Sequence, residues 1–258
     1  MSHSTYTVHP SIPHTHTVIF LHGRDSTAEE FATEIFESQG SDEKTLPEAL
    51  PSYKWVFPTS RIRQSSRFQT EMSQWFDIWT VENPQEKLNI QQTGLQESIM
   101  EVLDLISEEG KLVRSDHIIL AGISQGCATA IHALFNLDYK LGAFVGLSSW
   151  LPYSKQIQTI IQSGNESSQH MRHIRSLITS EGINLIQAPN YSSLETPVFL
   201  RHCKDDDVVP SENGENLFDT LKLMGMSVDS HVYEEGGHWL NEPKGVDDLV
   251  RFLKQNQE

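Results

Sequence analysis

The sequence predicts an α/β fold, in which a mostly parallel β-sheet is covered by helices on both faces. Short apolar, β-branched segments alternate along the chain with longer segments of helical periodicity, the order expected of repeated β-α units. Several of these segments are apolar throughout, as strands buried on both faces are. At 258 residues the chain can bury a large core and still form one domain, so a second domain is not required.

The apolar segments place the strands in order along the chain. Strands are predicted at 17–22, 54–58, 116–121, 143–148, 196–202 and 228–233. The clearest intervening helix is predicted at 91–109, where a core-facing stripe is formed by Leu95, Ile99, Val102, Leu103 and Ile106. The N-terminal residues 1–13 are polar and are predicted to form a flexible tail, which leaves 14–258 as the single folded domain.

The pentapeptide Gly122-Ile123-Ser124-Gln125-Gly126 follows one predicted strand and precedes small and apolar residues at helical spacing. Gly-x-Ser-x-Gly at such a turn is typical of a nucleophile elbow, whose glycines allow a tight turn that lifts the serine hydroxyl above the sheet edge. Alone the pattern is weak, because ordinary glycine-rich turns also contain it. Its position between strand and helix makes Ser124 the candidate nucleophile.

A serine nucleophile needs a histidine as general base and an acid that orients the histidine, and on this type of sheet both follow the serine. The strand at 196–202 leads into a turn that contains Asp205, Asp206 and Asp207, so the acid is expected among these three. The strand at 228–233 leads into a loop that presents His238, the candidate base. Each feature alone is more often a surface residue or a helix cap. Their joint occurrence in the required order favours a Ser-His-Asp triad.

The loop after the first strand supplies the fourth component of such a site. The expected oxyanion hole combines the backbone amide of Gln125 with an amide of this loop, most plausibly that of Arg24. Gly23 lets the backbone approach the reacting centre. His22 is interpreted as a structural residue that braces the loop by hydrogen bonds.

Several segments together resemble the phospholipase/carboxylesterase family, which includes the acyl-protein thioesterases, and the resemblance runs nearly end to end. The segments are Leu21-His22-Gly23, Trp75-Phe76-Asp77, Gly122-Ile123-Ser124-Gln125-Gly126, Ser149-Trp150-Leu151-Pro152, His202 with Asp206 and Val209-Pro210, and Tyr233-Glu234 before His238.

This resemblance implies an α/β-hydrolase fold and cleavage of ester or thioester bonds of acyl chains, without a metal or an organic cofactor. In the family the acid lies four residues after the histidine that closes its strand, which selects Asp206. The resemblance also suggests that Trp75 and Trp150 line the acyl site, although large aromatic residues more often pack in the core.

Three positions depart from the family pattern. Asp25 stands where a second glycine is common, and because a carboxylate would oppose the developing oxyanion, we expect it to face outward and to cap the helix that starts near Ser26. Cys203 stands where a glycine usually follows His202. The third departure is an insert near 153–194 with amphipathic helices at 155–162 and 169–178, expected to be either a cap over the acyl pocket or surface decoration.

Composition argues against several other functions. The net charge of −16 disfavours nucleic acid and anionic membranes as partners. The basic cluster at 61–67 is more typical of a solvated loop than of an anion site. The early histidines show no ligand spacing that indicates a metal; they are His3, His9, His14 and His16.

No apolar segment approaches the roughly 20 residues that span a bilayer, so stable membrane insertion is not expected. Residues 1–13 lack the basic start and apolar centre of a secretory signal, which makes the cytoplasm the expected location.

The sequence therefore predicts a serine hydrolase that cleaves acyl esters or thioesters, with acylated proteins among the candidate substrates. Cleavage of lysophospholipids or short-chain esters is the main alternative. A catalytically inactive protein that binds an apolar ligand in the same fold, and a peptidase with the same triad, are further alternatives. The oligomeric state is not predicted.

Overall fold

The computed structural model describes residues 4–163, 167–178 and 192–256 of the chain. The strands of this part are β1 (Thr5–Val8), β2 (His16–Leu21), β3 (Tyr53–Pro58), β4 (Ile62–Gln64), β5 (Glu71–Ser73), β6 (Ile118–Ile123), β7 (Ala143–Leu147), β8 (Val198–Cys203) and β9 (Val228–Tyr233). Its helices are α1 (Ala28–Ile35), α2 (Leu46–Ala49), α3 (Gln92–Glu109), α4 (Gln125–Phe135), α5 (Ser154–Gln162), α6 (Ser167–Ser176), α7 (Ser211–Leu223) and α8 (Lys244–Gln255).

Seven strands form one sheet in the order β1-β3-β2-β6-β7-β8-β9, and every pair in it is parallel except β1 with β3. The strands β4 and β5 form a separate antiparallel pair. Strands β2, β6, β7 and β8 are buried along their whole length, as the central strands of a sheet covered on both faces must be. The predicted fold class and the six predicted strands are confirmed.

The N-terminal segment differs from the prediction of a flexible tail over 1–13. Thr5–Val8 pairs antiparallel with β3, and the Tyr6 ring lies 6.5 Å from the Phe57 ring. This segment alternates β-branched and aromatic residues, which suits a strand that completes the open edge of β3. His16 also belongs to the fold, because it begins β2 and is buried, whereas His3 lies outside the described residues.

The core is divided into two layers by the sheet. On one face α3, α4, α5, α6 and α7 bury side chains against it, and on the other face α1, α2 and α8 do so. In α8 the buried residues recur at helical spacing and include Val246, Leu249, Phe252 and Leu253. Because β2, β6, β7, β8 and β9 are parallel, their C-terminal ends lie at the same edge of the sheet. The loops after β2, β6, β8 and β9 therefore meet at this edge.

The described part of the insert, residues 153–163, 167–178 and 192–194, packs against the core. Helix α5 contacts α7, and α6 contacts α4. Its buried hydrophobic residues are Tyr153, Ile157, Met171, Ile174 and Ile178. The predicted insert also contains 164–166 and 179–191, which lie outside the described residues.

Candidate active site

Ser124 occupies the turn between β6 and α4 with φ 54° and ψ −125°. A non-glycine residue with positive φ costs of order 1–3 kcal/mol and persists only where the surroundings hold it. The Ser124 amide donates to the Leu147 carbonyl at 2.9 Å, and the Ser149 hydroxyl donates to the Ser124 carbonyl at 2.6 Å. The strained backbone of the candidate nucleophile is therefore held by hydrogen bonds to the end of β7 and to the segment that follows it.

The two glycines of the pentapeptide are required by close backbone contacts. A Cβ at position 122 would lie 2.6 Å from Cys127 Cα, and a Cβ at position 126 would lie 2.7 Å from the Leu21 carbonyl carbon. Real Cβ atoms do not approach backbone so closely, so α4 can pack this tightly onto β6 and β2 only if both residues are glycine.

His238 and Asp206 form a direct pair, with 2.8 Å between His238 Nδ1 and Asp206 Oδ2. The other carboxylate oxygen, Oδ1, accepts the backbone amides of Val208 and Val209, each at 2.9 Å. Burial by itself would raise the pKa of Asp206, but hydrogen bonds from His202, His238 and Val209 outweigh burial and hold this pKa well below its usual range. Asp206 is thus an ionised carboxylate that fixes Nδ1–H of His238, which leaves Nε2 for proton transfer.

The three consecutive aspartate side chains have different surroundings. Asp205 accepts the backbone amides of Gly236 and Gly237 at 3.1 and 2.9 Å, so it holds the loop that carries His238. Asp207 is exposed. Of the three side chains, Asp206 is the one bonded to His238.

Ser124, Gln125, Arg24 and His238 line one cavity of about 250 Å³ at the strand ends. Among the described residues no hydrogen bond joins the Ser124 hydroxyl to His238, a contact that in ligand-free enzymes is often long and shortens when substrate binds. Gln125 is the first residue of α4, so its amide has no acceptor within the helix and is free to bind an oxyanion. The structure brings both predicted oxyanion residues to the nucleophile.

The Gln125 side chain has a second role that the sequence did not indicate. Its Oε1 accepts the amide of Trp75 at 2.9 Å, and its Nε2 donates to the carbonyl of Phe76 at 2.7 Å. This pair of bonds holds the first turn of α4 against the segment that follows β5.

His22 braces the first loop, as predicted. Its Nε2 accepts the amide of Ser60 at 3.0 Å, and Nδ1 donates to the Gly23 carbonyl at 2.6 Å. Trp75 lies behind this loop, because its indole N–H donates to the His22 carbonyl at 2.8 Å. Trp75 is fully buried and does not line the cavity at Ser124, so the structure assigns it to packing and not to the predicted substrate contact.

Trp150 does line the cavity, and its role in substrate binding stays a prediction. Its ring meets Phe76 edge to face at a centroid distance of 6.5 Å. The apolar lining that the sequence did not single out comprises Phe31, Ile78, Val81, Val208 and Trp239. Two of these adjoin the predicted site, Trp239 after His238 and Val208 after the aspartates, and this adjacency is the signal that would have found them.

Asp25 faces outward, as expected, but it does not cap α1. The N-cap is Thr27, whose hydroxyl accepts the Glu30 amide while the Glu30 carboxylate accepts the Thr27 amide at 3.1 Å. Asp25 instead has φ 64°, a conformation that glycine adopts without strain and that aspartate tolerates. This explains how aspartate can replace the glycine that is common there.

The basic cluster at 61–67 contributes ion pairs rather than a free basic patch. Arg61 and Arg63 both reach Glu97, at 3.4 and 2.8 Å, and Arg67 lies 3.6 Å from Glu82. Within the described residues no group of three or more His, Cys, Asp or Glu side chains is arranged to hold a metal ion. No helix of that part is both long enough and apolar enough to cross a membrane.

Comparison with known proteins finds relatives over most of the chain. The family model described as Phospholipase/Carboxylesterase matches residues 3–176 and 174–257. Acyl-protein thioesterase 1 of Yarrowia lipolytica is 29% identical, with 94% of this chain and 92% of that protein covered. Acyl-protein thioesterase 1 of Gibberella zeae is 28% identical, with 94% and 91% covered.

Solved structures resemble the chain over its full length. The crystal structure of Zea mays acyl-protein thioesterase 2 has a TM-score of 0.72 at 25% identity, with 100% of both chains covered. Esterase PE8 has a TM-score of 0.69 at 18% identity and supports the fold alone. The resemblance predicted from the sequence is confirmed: the chain belongs to the phospholipase/carboxylesterase family of α/β hydrolases.

Proposed function

We propose that this protein is a serine hydrolase that cleaves carboxylic ester or thioester bonds of acyl chains. The observation that carries the proposal is the arrangement of Ser124 and His238 on one cavity, with Asp206 bonded to the far side of the His238 ring. A strained serine at a strand-to-helix elbow and a histidine fixed by a carboxylate are the parts of a nucleophilic acyl-transfer site.

The reaction proceeds in two steps. Ser124 Oγ attacks the acyl carbonyl while His238 Nε2 takes its proton, and the amides of Arg24 and Gln125 stabilise the oxyanion of the tetrahedral intermediate. The intermediate expels an alcohol or thiol, which receives the proton from His238, and the acyl group stays on Ser124. Water, deprotonated by His238, then attacks the acyl-enzyme and releases the carboxylic acid and Ser124.

The relatives named acyl-protein thioesterase support thioesters of acylated proteins as one substrate class. The apolar lining around Ser124 supports an acyl chain rather than a peptide as the group bound there. Lysophospholipids and short-chain esters present the same acyl carbonyl to the same site, and a cytoplasmic location is part of the proposal.

The first experiment measures initial rates on p-nitrophenyl esters of increasing acyl length and on a matched acyl thioester, for the wild type and for Ser124→Ala. We expect the variant to lose at least about three orders of magnitude in kcat while it retains the fold. The ratio of thioester to ester rates separates a thioesterase from a carboxylesterase. A folded wild type without activity on every substrate would overturn the proposal and favour a ligand-binding protein.

A further inference from the structure

Arg24 is one of the residues that line the cavity containing Ser124 and His238, and its backbone amide is the one proposed for the oxyanion hole. The guanidinium stacks over the Phe68 ring at 5.3 Å from the ring centroid. Its Nη1 atom is buried and has no hydrogen-bond partner in the part of the chain that the structure describes. A residue that lines the proposed acyl-transfer site therefore carries a cation with an unused donor.

Among the described residues no salt bridge is formed by Arg24, because the nearby carboxylates have other contacts or face solvent. Asp77 accepts the Ser66 amide at 3.2 Å, Glu82 lies 3.6 Å from Arg67, and the side chain of Asp25 is exposed. Burial lowers the pKa of Arg24, and Arg67 adds to this effect, whereas the charges of Asp25, Asp77 and Glu82 raise it. The guanidinium stays protonated at physiological pH.

A partly buried arginine without a partner is unfavourable on its own, because water no longer solvates the charge fully. The planar guanidinium offers a fork of donors that matches a carboxylate or a phosphate, so an anionic ligand group would satisfy it. Glu34, the other side chain of the lining with a full charge, is exposed on α1 and would repel an anion placed beside it. Of the two charged residues of the lining, Arg24 is thus the one that attracts an anionic ligand group.

We propose that Arg24 makes this enzyme selective for ester or thioester substrates that carry a carboxylate or phosphate close to the scissile bond. The inference rests on the proposed function, because it concerns the substrate of the same site. The anion can belong to the acyl group or to the leaving alcohol or thiol. Each of these two possibilities is tested with its own pair of substrates.

Two matched substrate pairs distinguish the sources. For the leaving group, the pair is the butyryl thioester of N-acetylcysteine, which carries a carboxylate, and that of N-acetylcysteamine, which is neutral. For the acyl group, the pair is the mono-p-nitrophenyl ester of adipic acid and the same compound with its free carboxyl methylated. Each is measured as kcat/KM for the wild type, Arg24→Gln and Arg24→Lys, with spontaneous hydrolysis subtracted.

The wild type is expected to prefer the anionic member of one pair by about tenfold or more, the range of one charge-assisted hydrogen bond. Arg24→Gln should bring that ratio to about one, and Arg24→Lys should keep part of it. The ratio within a pair is informative because a general loss of activity through the loop cancels from it.

A wild-type ratio near one for both pairs, with hydrolysis of their neutral members, would overturn the selectivity and leave the proposed function intact. A ratio that survives in folded Arg24→Gln would also overturn the assignment to Arg24. Hydrolysis of none of the four substrates by the folded wild type would contradict the proposed function itself, and the inference with it.

Discussion

His202 and Asp206 lie four residues apart, and 3.2 Å separates His202 Nε2 from Asp206 Oδ2. The same nitrogen lies 2.9 Å from the Val209 carbonyl oxygen, which only accepts hydrogen bonds, so His202 carries its proton on Nε2 and shares it between the two oxygens. Asp206 Oδ2 therefore faces two imidazoles, His238 on the side of the cavity and His202 on the side of α7. His202 is a positioning residue for the carboxylate that orients His238.

We predict that His202→Leu lowers kcat by about tenfold or more with little change in KM, because one hydrogen bond to the charged Asp206 is lost. His202→Gln, whose side-chain amide can donate from about the position of Nε2, should recover part of the loss. Steady-state kinetics on a p-nitrophenyl ester, with circular dichroism to verify folding, checks this. Equal losses in the Leu and Gln variants would show that shape at this position matters and the donor does not.

The elbow glycines provide a stability prediction. Gly122→Ala or Gly126→Ala places a Cβ against backbone at 2.6 or 2.7 Å, and backbone cannot move aside cheaply, so we expect a loss of more than about 3 kcal/mol in the free energy of unfolding. Gly225→Ala is the matched control. A Cβ added at Gly225 has no atom within 4 Å, so the substitution should cost only the backbone strain of alanine at φ 83°, about 1–2 kcal/mol. Urea unfolding of the three variants measures the difference. Similar costs at all three positions would contradict the assignment of close packing to the elbow.

The elbow and the order of site residues could be predicted from the sequence because both are local signals. An apolar strand followed by Gly-x-Ser-x-Gly specifies its own turn, and Asp206 and His238 each follow a strand. The choice of Asp206 among three aspartates needed the spacing of the family. The structure adds the physical reason: Asp205 is occupied by the Gly236 and Gly237 amides, and Asp207 faces solvent.

The features that the sequence did not predict depend on contacts between distant segments. Thr5–Val8 alternates β-branched and aromatic residues, but four such residues are too few to predict a strand, and the open edge of β3 that pairs with them lies some 50 residues later. Trp75 is aromatic and belongs to one of the segments that resemble the family, but only the bond to the His22 carbonyl shows that it lies behind the loop. An amphipathic pattern in the insert indicates that one face of each helix is covered without indicating what covers it.

Gln125→Ala separates the backbone and side-chain roles of this residue. The variant keeps the backbone amide proposed for the oxyanion hole but leaves the Trp75 amide and the Phe76 carbonyl without their buried partner, so we expect a loss of about 2–4 kcal/mol in stability. Activity per folded molecule should fall much less than in Ser124→Ala. Thermal unfolding and kcat measured on the same preparations check both parts, and a kcat loss as large as that of Ser124→Ala would contradict a backbone role.

Arg175 tests the role of the insert. Its guanidinium is buried and donates to the carbonyls of Phe135 and Leu137 at 2.7 and 2.8 Å, and it lies 3.1 Å from Asp138 Oδ1. We predict that Arg175→Met lowers stability by about 2–4 kcal/mol, because these acceptors lose a buried cation. Preference among p-nitrophenyl esters of different acyl length should stay the same, since α6 does not line the cavity at Ser124. A changed preference in folded Arg175→Met would instead support the insert as a cap.

The buried His132 predicts how stability depends on pH. Its ring is 1% exposed, Nε2 donates to the Pro152 carbonyl at 3.0 Å, and burial lowers its pKa from 6.5 to about 4. Between these two values the unfolded chain binds a proton at this position and the native chain does not, so the free energy of unfolding rises with pH. From pH 7 down to pH 5 this residue should remove about 2 kcal/mol of stability.

The Gln side chain of His132→Gln can donate to the same carbonyl but does not titrate. The free energy of unfolding of the variant should therefore change less with pH than that of the wild type, and near pH 5 the two slopes should differ by about 1 kcal/mol or more per pH unit. Part of the dependence should persist in the variant, because burial and the neighbouring His117 also lower the pKa of His16 to about 4. Urea unfolding at intervals from pH 4.5 to 7.5 provides the comparison. If the two proteins lose stability in parallel as the pH falls, His132 already carries its proton in the native state and the buried neutral ring is ruled out.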